Sequence, residues 1–257
     1  MEIHIVILLF AAGIVAGFIN TIAGSGSLLT LPLLIFIGLP PTVANATNRI
    51  GILLQSIVGA VSFRHQRVFR FREGLPYMIP SVIGAVAGAL YAASFNEEVM
   101  RRVIGFLLLF MLLMLLIKPE RWLYGREVKR SRLRRVGEVT IFLLIGFYGG
   151  FIQAGVGFFL IAALVYGTGA GLTRSNALKV LITSVFTLVA VIVFLMTGQI
   201  DFRAGLILGA GSMIGAYVGT RVAVEWGPRF VRYFLVVILF VSAIELMGIA
   251  DLILQRQ

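Results

Sequence analysis

"INTIAGSGSLLTLP", residues 19–32, decides how this chain is read. It lies in the first strongly apolar region, where a membrane-spanning helix should be an unbroken run of Leu, Ile, Val, Phe and Ala. Instead, Asn20 and Thr21 lead into Gly24-Ser25-Gly26-Ser27. In hydrocarbon an unpaired backbone amide is costly. Irregular backbone is tolerated there only when it is buried in protein or lines a water-filled cavity. Gly24 and Gly26 let the backbone leave helical geometry, Ser25 or Ser27 can cap the next helix, and Pro32 suits a helix that has only just begun. The N-terminus of such a helix would aim N–H groups and positive partial charge at an anion. The same glycines could instead serve close helix packing alone.

The rest of the chain supports a membrane setting. Of its 257 residues 60% are hydrophobic and 13% charged, and the mean hydropathy is +1.03, far from the usual balance of a soluble domain. Long continuous apolar runs recur, which excludes the short alternating segments of a barrel. The net charge of +11 falls mostly in loops between these runs, so it speaks for membrane topology and against nucleic acid. With no cysteine, disulfides and thiolate metal sites are excluded. His4 and His65 lack metal-ligand spacing, and no Walker A, HExxH or Ser/His/Asp pattern is present. Neither an enzyme nor a cofactor is expected. Residues 3–22 have no basic region before them, so a cleavable signal peptide is not expected.

Apolar segments lie at about 3–22, 27–38, 42–63, 74–95 and 99–117, and again at about 137–153, 157–168, 172–196, 203–224 and 229–250. Between them, residues 118–136 hold "GREVKRSRLRR", too charged to enter a bilayer. This divides the chain into a first repeat (1–117), a basic linker (118–136) and a second repeat (137–257). "FRFREG" at 69–74 matches "IDFRAG" at 200–205 with an offset of 131, which also places Gly84 on Gly215 and Gly88 on Gly219. "GFIN" at 17–20 matches "GFIQ" at 150–153 with an offset of 133. Five segments per repeat predict that the second is inverted relative to the first. The basic loop with Arg64, Arg67, Arg70 and Arg72 and the linker belong in the cytoplasm, and the loop at Asp201 and Arg203 outside. The expectation is an all-α integral membrane protein, multi-pass in the cell membrane. Segments 27–38 and 157–168 are too short for roughly 30 Å of hydrocarbon as helices and read as re-entrant or half-spanning.

Three features bear on chemistry. The break at Asn20–Ser27 has a counterpart at Gln153–Gly157. Arg49 in "NATNRIG" and Lys179 in "SNALKVL" each stand seven residues into a segment, deep enough to face a cavity or to snorkel to an interface. Asn45, Thr47, Asn48, Asn176 and Thr183 are their polar neighbours. Carboxylates are nearly absent from the segments, Glu245 being the one arguable case. Buried positive charge without buried negative charge points to an anionic substrate.

These residues carry a family resemblance. "GSGSLLTLPLLIFIGLPPTVANATNR", the basic loop and "FRFREGLPYMIPSVIGAVAGA" resemble the TauE/SafE sulfite exporters, also called probable membrane transporter proteins. "GFIQAGVGFF", "SNALKVL" and "GQIDFRAG" resemble that family's second copy. The resemblance implies a two-repeat carrier of sulfite, sulfonates or related small sulfur anions. Many members have basic residues at the places matched by Arg49 and Lys179. The expected function is therefore a secondary carrier working as an exporter, with an anion channel or a non-transporting membrane scaffold as alternatives. The substrate-binding set is Asn20, Ser25, Ser27, Thr47, Asn48, Arg49, Gln153, Lys179 and Thr183. The expected partners are a small anion and the lipid bilayer, and a homodimer is allowed.

Overall fold

Glycines, prolines and polar breaks cut the apolar sequence into helices close to those expected. The structure is a computed structural model that describes residues 1–22, 24–116, 132–169 and 171–225. Within these it is helical and contains no strand: α1 (Ile3–Ile22), α2 (Ser27–Phe36), α3 (Pro41–His65), α4 (Phe71–Ala93), α5 (Glu97–Leu116), α6 (Arg132–Phe151), α7 (Val156–Thr168), α8 (Leu172–Met196) and α9 (Phe202–Glu225). The expected segment at 229–250, with Glu245, lies outside the described residues, as does most of the basic linker. Helix α6 begins five residues before the expected segment, so the end of the linker is helical.

Among the described helices α1, α4, α8 and α9 are long and apolar enough to cross a membrane. Their outward faces carry large apolar side chains such as Ile79, Ile83, Leu90, Ile192 and Leu206. Helix α3 is equally long at 25 residues, but its buried face holds Asn45, Thr47, Asn48, Arg49, Gln55 and Ser56. Helices α2 and α7 have 10 and 13 residues, about 15 and 20 Å at 1.5 Å per residue. Both are shorter than the roughly 30 Å of hydrocarbon that a spanning helix must cover.

Local chemistry sets the boundaries. At the end of α2, Gly38 has φ +99°. Its N–H donates to Ile35 O, and that of Leu39 donates to Leu34 O, the paired bonds of a Schellman stop. Pro40 then holds an extended backbone and Pro41 opens α3, where its missing N–H leaves no helical bond unmade. Helices α3 and α8 end alike, with Arg67 and Gly198 in the left-handed region and Val68 N–H bonded to Phe63 O as Gln199 N–H is to Phe194 O.

The halves pack in a matched pattern. Helix α1 lies along α9 and α6 along α4; α9 also packs on α3 and α4 on α8; the short α2 and α7 lean on α3 and α8. Backbones touch at glycines in the two long pairs. Gly84 and Gly88 of α4 abut the backbone at Leu143 and Phe147 of α6, and Gly211 and Gly215 of α9 abut Phe10 and Ile14 of α1. Both pairs therefore run parallel, with small residues allowing the approach. In contact with α6 and α1, Gly84 and Gly88 play the part of Gly211 and Gly215, one helical turn from their sequence matches Gly215 and Gly219. Helices α3 and α8 cross antiparallel, with the Arg49 guanidinium over the Phe194 ring and Gly59 against Val180. Arg174 at the start of α8 forms a two-bond ion pair with Glu73 of α4, at 2.9 and 3.1 Å. Glu97 at the start of α5 accepts from both Thr42 N–H and the Thr42 hydroxyl.

Candidate anion site

The two breaks meet. Gly24, with φ +83°, lies so close to Gly157 that a Cβ on either would overlap the other's backbone. Here the ends of α1 and α6 and the starts of α2 and α7 come together. Neither short helix has a side-chain cap, which corrects the expectation for the serines. The Ser27 hydroxyl donates to Gln153 O at 3.4 Å, and Ser25 Oγ is buried without a partner.

Beside this contact is a tight polar cavity with room for little more than a water molecule. Asn20, Thr21, Ser27, Gln55, Ser56, Gln153, Lys179 and Thr183 line it, with Val156, Gly157 and Val180. Lys179 is its one ionisable lining residue among those described. Its Nζ donates to the carbonyls of Asn20 at 2.8 Å and Thr21 at 3.0 Å, both at the end of α1. An ammonium has three N–H donors, so one is left for a ligand. No carboxylate pairs with Lys179 among the described residues.

Arg49 is fully buried on the other side of Gln153. Its Nη1 donates to Gly149 O and, at 2.8 Å, to Gln153 Oε1. Gln153, at φ +66°, donates from Nε2 to Thr187 Oγ1 at 2.8 Å. The Arg49 Nε and Nη2 have no partner among the described residues, and Arg49 does not line the cavity. Each half thus sends a cation to the end of the other half's first helix.

The two cations are not equivalent positions. Helices α3 and α8 start at 41 and 172 and stop at left-handed residues 67 and 198, an offset of 131. Counted from the helix start, Asn48 holds the place in α3 that Lys179 holds in α8, and Arg49 the place of Val180. One residue is about 100° around a helix, which is why one cation reaches the cavity and the other does not.

Of the expected residues, Asn20, Ser27, Gln153, Lys179 and Thr183 gather at the cavity; Ser25, Thr47, Asn48 and Arg49 do not line it. Thr47 Oγ1 accepts from Asp201 N–H at 2.9 Å, and Asn48 Oδ1 accepts from the Thr30 hydroxyl at 2.6 Å. Asn45 donates to Phe151 O at 3.0 Å. Neither amide atom of the buried Asn176 is partnered. Thr21, Gln55 and Ser56 were missed. The signal for the last two was available as a polar pair inside the apolar "ILLQSIVGA" of α3.

An apolar helical shell around two buried cations, with no carboxylate partner among the described residues, fits a multi-pass membrane transporter. Within that class, the chain belongs to the family described as sulfite exporter TauE/SafE, which matches residues 9–246. It is 32% identical over 249 residues to probable membrane transporter protein ORF9 of a Sinorhizobium species, covering 96% of this chain and 94% of that one. It is 28% identical to a probable membrane transporter protein of Haemophilus influenzae, covering 95% of each chain. Identity to the probable membrane transporter protein YfcA of Escherichia coli is also 28%, covering 93% of this chain and 88% of that one. No solved structure matches it.

Proposed function

We propose that this protein is a secondary carrier that exports a small sulfur-containing anion, sulfite or an organosulfonate, from a site between two inverted repeats. The observation that carries the reading is Lys179, buried in a polar cavity with only carbonyl partners. A buried cation without a counter-charge is expensive, and an anion admitted when the cavity widens supplies that charge. The antiparallel crossing of α3 over α8, its counterpart, supports the inversion. The Arg64–Arg72 loop then lies in the cytoplasm. The tightness of the cavity favours a carrier over an open channel. An inside-negative potential drives a monovalent anion outwards by about 2.3 kcal/mol per 100 mV, so export needs no coupling ion.

The test is flux from proteoliposomes loaded with sulfite or methanesulfonate. Wild-type protein should release the anion faster than protein-free vesicles, and Lys179→Gln should not. Equal release by wild-type and empty vesicles overturns the reading.

A further inference from the structure

The Arg49 guanidinium has a buried edge that nothing in the cavity uses. Its Nη1 is engaged, whereas Nε and Nη2 are buried and unpartnered. Those two nitrogens form the side-on edge of the guanidinium, whose parallel N–H bonds match two oxygens of an oxyanion. Phe194 stacks against the group, with its ring centroid 5.0 Å from Cζ. The Gly149 and Gln153 oxygens fix the opposite edge, and no carboxylate faces it among the described residues. Leaving two charged donors unpaired in a protein interior is strongly unfavourable. An anion presenting two oxygens on one edge would satisfy both donors at once.

We infer that Arg49 holds a second anion subsite, separate from the Lys179 cavity and selective for oxyanions. Gln153 stands between the two, lining the cavity while its Oε1 accepts from Arg49. The subsites differ in what they accept. Lys179 offers a point charge with one free N–H, which suits any small anion, while Arg49 offers a planar fork, which a monatomic halide cannot fill. This inference rests on the anion-transport reading and extends it from one bound ion to two.

Equilibrium binding of radiolabelled methanesulfonate to the purified full-length protein in nanodiscs tests it. Wild-type protein should bind about two ions per chain, and Arg49→Lys, which keeps the charge but loses the fork, about one. Lys179→Gln should also bind about one. Chloride in excess should displace the ion at Lys179 and leave the ion at Arg49, a measurement on wild-type protein that needs no variant to fold. A wild-type stoichiometry of one or none overturns the inference, as does full displacement by chloride. Anion release in the vesicle assay is read separately: if it persists with one ion bound per chain, the carrier reading stands and the second subsite falls.

Discussion

The two halves make the same long-range contact with different residues. In the second half, Lys179 of α8 reaches the closing carbonyls of α1 and faces the cavity. In the first half, Arg49 of α3 reaches the end of α6, braces Gln153 and stays behind the cavity wall. A one-residue difference in position, about 100° around the helix, separates the two roles. Helices α3 and α8 thus bury a cation at similar depth but point it in different directions.

The largest test of this contrast is Lys179→Ala. Flux should fall to the level of empty vesicles while thermal stability in detergent holds or rises, because an uncompensated buried charge is removed. Retained flux would end the distinction between the halves. Next is Gln153→Glu, which gives Arg49 a charge partner and places a negative charge on the cavity wall. A higher melting temperature with transport lost is expected; transport at the wild-type rate would show that Gln153 does not border the anion's path. Gly157→Ala forces the two breaks apart and should destabilise by about 1–3 kcal/mol, read as a lower melting midpoint. The smallest effect compares the helix stops. Arg67 adopts a left-handed conformation where its counterpart is Gly198. Arg67→Gly should therefore stabilise and Gly198→Ala destabilise, each by about 1 kcal/mol, in the same melting assay.

The spans were legible because apolar run length maps directly onto helix length, and the breaks were legible because glycine and serine are conspicuous in such runs. Direction around a helix was harder to read. Arg49 and Lys179 stand at similar depth in α3 and α8, but depth does not say which way a side chain points, and Lys179 lines the cavity while Arg49 does not. The one-turn shift between the glycine ladders of α4 and α9 escaped for a related reason: a small-residue repeat looks the same when displaced by four. Thr47 and Asn48 have the same composition signal as site residues, yet they bind Asp201 N–H and Thr30. Such partners lie far along the chain or on another helix, and only the packed fold selects them.

The meeting of Gly24 with Gly157 has a mechanical consequence. Side chains adjust by hopping between rotamers, so a wall built from them has slack. Where these two glycines touch, the wall is main chain on main chain, with no rotamer to relax. The gap beside it behaves like a fixed gauge block whose clearance is set by bond geometry, and enlarging it requires the two short helices to move as bodies. Any conformational cycle that admits an ion here must turn on that joint.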